Sequence, residues 1–264
     1  MLEVRGPSVN RSPCELCALR ERPLCMAQNT GRWPAAVSRI SVPVGAVVAY
    51  QGDDAKTIGT VVAGILKLVK TLPDGRQQIV GFVDPGELFG RPHAEQSDCA
   101  IEAATDVALC VSDRHAYERA MAIRPELEHQ VLLLTLADLA EARTRELILG
   151  CQTTQERIAS FLLITLRRRL RVIGGLASPG QVPVVALKIS RKDLASYLST
   201  SIETISRTLH QFADKRIIGL LDHEHFAIRD VDGLKQLCGL AAEDLDIFAR
   251  EPSTKIAAPQ MLVV

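Results

Sequence analysis

Ser190-Arg-Lys-Asp-Leu-Ala-Ser-Tyr-Leu198, the turn Ser199-Thr200, and Ser201-Ile-Glu-Thr-Ile-Ser-Arg-Thr-Leu-His-Gln-Phe-Ala213 form the stretch that decides the fold. Ser190 stands ahead of an apolar-periodic run with Asp193 three residues later. In that spacing a hydroxyl caps the first amides of a helix and a carboxylate reaches back to it. Ser201 is a second capping residue, and the run behind it predicts a helix from Ile202 to about Ala213. Two short helices joined by about three residues make a helix-turn-helix unit. The second helix of such a unit enters the major groove of DNA, with its N-terminal half nearest the base edges. Glu203, Ser206 and Arg207 recur at i, i+3 and i+4 and therefore share one face. A carboxylate accepts from cytosine N4, a hydroxyl meets either base type, and a guanidinium makes a bidentate contact with guanine O6 and N7. The same spacing suits an intrahelical Glu203–Arg207 ion pair on a solvated face; the surrounding motif favours base reading. Arg191, Thr200 and Ser201, with Ser190, Lys192 and His210, are candidates for phosphate contacts that position the unit without reading sequence.

Downstream, Ile217-Ile-Gly-Leu-Leu-Asp-His-Glu-His-Phe-Ala-Ile228 predicts a β-hairpin, a wing, and Asp230 predicts the cap of a last short helix. Upstream, Thr154 opens an amphipathic helical run with a capping residue. Residues 151–238 thus predict a winged helix-turn-helix domain, followed by a weakly patterned tail, 239–264. From Cys151 to Cys238 there are 13 basic and 8 acidic residues, although the whole chain balances 31 against 31. The basic excess sits in this third, which is where a polyanionic partner belongs.

Pro125 precedes a long helical pattern, a favoured position for proline, so residues 123–150 predict one helix. Leu132, Leu136 and Leu139, with Leu147, lie on one stripe; Leu127, Val131 and Leu134 lie on a neighbouring one. One side is expected to face its own domain and the other, the Leu132/Leu136/Leu139 stripe, a second copy in coiled-coil-like packing. Residues 36–112 read as short strands, including Thr60-Val-Val-Ala63, Ile65–Lys70 and Gln78–Val83, with turns at Gly45, Gln51-Gly52-Asp53 and Asp74-Gly75. Strands of this length and spacing predict an antiparallel roll, assigned to 36–122. The fold class is α+β: an N-terminal antiparallel β-roll, a long dimerisation helix and a C-terminal winged helix-turn-helix.

Seven cysteines, an odd number, argue against a disulfide framework. Cys14, Cys17 and Cys25 crowd into residues 1–35, a proline-punctuated segment too poor in apolar residues to fold alone. Soft thiolates at this density suit zinc or an iron–sulfur cluster, and three need a distant fourth ligand. Cys99 and Cys110 are the candidates, while Cys151 and Cys238 read as helix-packing residues. The chain has no nucleophile–base constellation, no phosphate loop, no apolar run long enough to span a bilayer and no basic-then-apolar leader. These features predict a non-enzymatic protein of the cytoplasm, without a membrane partner.

With these residues in hand, the chain from about residue 12 onward resembles the CRP/FNR family of bacterial regulators. Glu203-Thr-Ile-Ser-Arg207 is similar to the E-x-x-S-R recognition-helix signature of the oxygen-sensing FNR branch, and Pro85-Gly86-Glu-Leu-Phe-Gly90 to the family's β-roll sensor, a cyclic-nucleotide-binding-like jelly roll. The resemblance implies a homodimeric activator reading a TTGAT-like inverted repeat in double-stranded DNA, with contacts to RNA polymerase for which the Asp74–Gln78 turn is a candidate patch. It also implies an oxygen-labile [4Fe–4S] cluster on Cys14, Cys17, Cys25 and, by position, Cys110, with loss of the cluster releasing the N-terminal loop and weakening the dimer. Asp138, beside the apolar stripe, is the candidate for same-charge repulsion across the two-fold axis. The chain departs from the cyclic-nucleotide binders of the family: Arg91 stands where they carry Glu, and Asp98-Cys99-Ala100 where they carry R-S-A. A carboxylate in place of the phosphate-holding guanidinium repels that ligand, so no cyclic nucleotide is expected. Two other readings remain: a regulator of the same family governed by zinc, thiol oxidation or haem, and an iron–sulfur electron-transfer protein, which leaves the helix-turn-helix unexplained.

Overall fold

A computed structural model of the chain describes residues 37–172, 183–222 and 225–241. Eight strands build the roll: β1 (Val37–Val42), β2 (Val47–Ala49), β3 (Thr57–Ala63), β4 (Leu66–Thr71), β5 (Gln77–Val83), β6 (Leu88–Phe89), β7 (Ala100–Ala103) and β8 (Val107–Asp113). They form two four-stranded antiparallel sheets, ordered β1-β8-β3-β6 and β2-β7-β4-β5. Alternation along the strands sends Val42, Val61, Leu66, Val83, Phe89, Ile101, Val107 and Leu109 into the space between the sheets, where they make the core of the roll. The Asp74-Gly75 turn closes the β4–β5 hairpin with Gly75 at φ +87°, a left-handed conformation that glycine adopts without a Cβ penalty.

β8 runs straight into α1 (Arg114–Ala122), whose first turn is capped by Asp113 accepting from the Ala116 amide at 2.8 Å. This helix lies within the 36–122 span that the strand pattern assigns to the roll. A tight turn leads to α2 (Pro125–Cys151), with Pro125 at its first position and Glu126 and Glu128 in its first turn, complementing the positive helix end. Leu127 and Val131 are buried against Ile58, Tyr117, Ala120 and Met121, with Leu134 half-buried beside them. This cluster fixes the long helix to the roll.

α2 ends at Cys151, and α3 (Thr154–Val172) begins after an intervening two residues. Its cap is Thr153 rather than Thr154: the Thr153 hydroxyl accepts from the Glu156 amide, and the Glu156 carboxylate accepts from the Thr153 amide at 2.6 Å. Then come β9 (Val184–Ala186), α4 (Arg191–Tyr197), α5 (Ile202–Asp214), β10 (Ile218–Leu220), β11 (His225–Ile228) and α6 (Val231–Cys238). β9, unforeseen in the sequence, joins the wing as the third strand of an antiparallel sheet ordered β10-β11-β9. Ile158, Leu162 and Leu163 of α3, Leu194 and Leu198, Ile205, Leu209 and Phe212 of α5, and Phe226 share one core. Cys238 lies in it; Cys151 does not pack and is exposed. Among the described residues, no helix is long and apolar enough to cross a membrane.

Candidate nucleic-acid interface

Both capping predictions hold. Ser190 accepts from the Asp193 amide at 3.0 Å and donates to the Asp193 carboxylate at 2.8 Å. Ser201 accepts from the Thr204 amide at 3.2 Å and starts α5. Between them Ser199 holds φ +52°, and the Thr200 amide donates to the Ala195 carbonyl, so the turn has little freedom. α5 buries Ile205, Thr208, Leu209 and Phe212 and exposes Glu203, Ser206, Arg207 and His210 on the opposite side. Among the described residues no ion pair joins Glu203 to Arg207, although their spacing permits one. The helix-end amides and the Ser201 hydroxyl hold the Glu203 carboxyl below its ordinary range, so it stands ionised as an acceptor. Ser201 and Lys192 are exposed and Thr200 half-buried at the edge of this surface. Arg191 differs from the others: it is half-buried, with its guanidinium carbon 5.0 Å from the centroid of the Phe226 ring on the wing. Removal from water lowers its pKa.

The second predicted surface lies on α2. Leu132, Leu136, Leu139 and Leu147 are 53%, 52%, 45% and 43% exposed, whereas Leu127 and Val131 on the neighbouring stripe are 0% and 5%. One helix therefore meets the roll with one stripe and presents a row of leucines with the other. Asp138, beside that row, is pushed up to about 6 by the packing around it and by Glu141, against the opposing pull of Arg168.

The cysteine candidates divide. Cys14, Cys17 and Cys25 lie outside the described residues. Cys110 is half-buried on β8, opposite Arg39 on β1 and Thr60 on β3. The backbone is tightly approached there, since a Cβ on Gly59 would come within 2.2 Å of the Cys110 carbonyl. The described chain enters the sheet at Val37, opposite Ser112, two residues past Cys110. Cys99 sits on the other sheet, buried before β7, and its thiol is pushed up to about 11 by burial and by Asp98. Asp98 in turn pairs with Arg91 at 3.0 Å and with Lys70 at 3.6 Å. Arg91 and Asp98 thus neutralise each other at the edge of a cleft of ≈ 1460 Å³ between the roll, α2 and the helix-turn-helix unit.

That unit does not hang free. Arg168 of α3 donates to Asp84 of the roll at 2.7 Å and to Glu141 of α2, with Glu87 close by. Burial raises Glu87 to about 7. Arg157 donates to the carbonyls of Leu149 and Gln152 at the end of α2 and of Leu198 at the end of α4. Sequence reasoning missed Arg168, Arg157 and their partners, because no local pattern marks a pair separated by 84 residues. At the β4–β5 tip, Asp74 and Arg76 are exposed and paired with each other, but Gln78, included in the predicted polymerase patch, is turned toward α4.

Residues 156–237 match the model of the Crp-like helix-turn-helix domain, and residues 39–124 that of the cyclic nucleotide-binding domain. The chain is 31% identical over 229 residues to a probable transcriptional activator of Rhizobium leguminosarum bv. viciae, covering 85% of this chain and 92% of that protein. It is 31% identical over 234 residues to the transcriptional activator protein FnrL of Cereibacter sphaeroides, covering 86% and 92%. Among solved structures, FixK2 from Bradyrhizobium japonicum superposes with a TM-score of 0.70 at 30% identity, over 78% of this chain and all of that one.

Proposed function

The chain belongs to the CRP/FNR family of DNA-binding transcription regulators, and we propose that it reads a TTGAT-like inverted repeat as a homodimer and takes an oxygen or redox signal at a [4Fe–4S] cluster held by Cys14, Cys17, Cys25 and Cys110. The observation that carries the DNA reading is the Glu203/Ser206/Arg207 face: three complementary hydrogen-bonding groups, exposed together on a helix whose first turn is capped and whose other side is locked into the core. Arg207 would take guanine O6 and N7, Glu203 a cytosine amino group, and Ser206 a neighbouring base edge. Lys192, Thr200, Ser201 and Ser190 would hold phosphates; Arg191, committed to Phe226, would contribute charge at longer range. The Leu132/Leu136/Leu139 stripe would seat the second copy, and the exposed Asp74–Arg76 tip would meet RNA polymerase.

For the sensor, the donor set favours soft metal chemistry: four thiols, three of them within twelve residues. Cys110 is favoured over Cys99 because it flanks the point where the N-terminal segment joins the sheet, whereas Cys99 is buried on the opposite sheet with a thiol that resists ionisation. When bound, such a cluster supplies an oxygen-labile cross-link between the N-terminal segment and the roll. Cys110 lies on β8 three residues before Asp113, the cap of α1, and α1 packs against α2. The Arg91–Asp98 pair supports a site that does not take a cyclic phosphate.

Anaerobic purification tests the reading. Brown protein that bleaches in air and loses operator binding as it does so is the expected result. Colourless protein carrying stoichiometric zinc, or operator binding indifferent to air, would refute the cluster. In the same assay Cys110→Ser should abolish the colour and Cys99→Ser should keep it; the opposite pattern exchanges the two residues.

A further inference from the structure

The roll touches the helix-turn-helix unit at a second place, away from Arg168. Lys67 of β4 lies 2.9 Å from Asp193 of α4 and 3.4 Å from Glu102 of β7, all three side chains less than a quarter exposed. Gln78 of β5 donates to the Ser196 carbonyl at 2.6 Å, and the Ile79 amide donates to the Ser196 hydroxyl at 3.3 Å. Tyr197 fills the gap behind them, its ring centroid 5.0 Å from that of Phe82 and 5.9 Å from that of Phe161, with the Arg145 guanidinium carbon 5.4 Å from its ring centre. Asp193 therefore serves twice, closing the capping box of α4 and anchoring it to the roll. The clamp grips the first helix of the motif and reaches no residue of the reading face, since Glu203, Ser206 and Arg207 remain exposed.

We infer that Lys67 and Gln78 are positioning residues for operator reading: they fix α4, and through the stiff Ser199–Ser201 turn α5, at a set angle to the dimer helix. The geometry argues for posture and against masking. Only four residues separate the clamped helix from the reading helix. A half-site contact needs only α5, but two half-sites at one spacing need both copies of α5 held at a fixed separation. Lys67 and Gln78 touch no base, so they act through the orientation of α4. The inference rests on the homodimeric DNA-reading role proposed above.

The test uses the full chain and duplexes carrying two TTGAT half-sites in inverted repeat, with the spacing between them varied one base pair at a time, beside a duplex with a single half-site. Wild type is expected to prefer one spacing strongly. Lys67→Met with Gln78→Ala should weaken binding at that spacing about tenfold, as expected when only one molecule in ten holds the competent posture. It should leave the single half-site unchanged and flatten the spacing preference. Gln78→Ala alone, which leaves no buried charge behind, should flatten it in part and serves if the double variant does not fold. An unchanged spacing preference in a folded variant overturns the inference, as does tighter binding, which would make the clamp a restraint on DNA binding. If wild type itself fails to distinguish the inverted repeat from one half-site, the homodimeric reading fails instead.

Discussion

α2 and α5 are both half-buried helices, and they differ in what their outer halves offer. α5 shows a carboxylate, a hydroxyl and a guanidinium around a capped N-terminus; α2 shows leucines. A polar face loses little by standing in water and gains where a partner's hydrogen-bonding groups line up with it. An apolar stripe gains by leaving water, at roughly 25 cal/mol per Å² of surface covered. The same architectural device, a helix with one committed side, thus offers a hydrogen-bonding face suited to a hydrated groove in one place and, in the proposed function, an apolar face for a second copy of the chain in the other.

Charge on the leucine stripe breaks that contrast most severely. Leu136→Asp should raise the dimer dissociation constant more than a hundredfold, at least about 3 kcal/mol, because two unpaired carboxylates would enter the interface. Analytical ultracentrifugation reads this, and a variant that still dimerises at micromolar concentration would move the interface elsewhere. On α5, Arg207→Ala should weaken specific binding by about 1–3 kcal/mol and relax base choice at one position per half-site. Dimerisation should not change. Competition between half-sites differing at single positions checks it. The mildest case lies where the two surface types meet. Asp138 has a pKa of about 6, and a second copy would raise it further by bringing like charges together. The dimer then binds more protons than the monomer, so association strengthens as pH falls from the dimer's higher value toward about 6 and weakens as it rises back through that window. Asp138→Ala should remove that slope and tighten the dimer at pH 7.5 by about 1 kcal/mol. Sedimentation across pH decides it, and a slope surviving in the variant assigns the proton to another group.

The features recovered from sequence are those governed by neighbours along the chain. Ser190, Ser201, Asp230 and Pro125 act within one helical turn, so the helix starts they mark are where expected. The displaced cap at Thr153 shows the limit, since two adjacent threonines offer the same hydroxyl and only the Glu156 geometry chooses between them. The two-residue strand β6 and the three-residue β9 have too few positions for alternation to register. Asp193 illustrates the rest. Its local role as cap was readable, but its partner Lys67 stands 126 residues away and nothing in either neighbourhood announces the other. Arg191 carries a second contact of the same kind: beside its expected phosphate role, its guanidinium lies over the Phe226 ring on the wing, a neighbour that no local pattern announces.

One consequence follows from the place of β1 in its sheet. β1 is an edge strand, bonded among the described residues only to β8, and its first pairs are Val37 with Ser112, Ser38 with Val111 and Arg39 with Cys110. Tension applied upstream of Val37 peels this border inward like a zip, and the third tooth to part is the one that carries the sulfur. β8 passes that loosening directly to Asp113 at the root of α1. The strand that follows the cysteine-rich segment in sequence is thus paired on one side, and it shares a seam with the strand that carries α1.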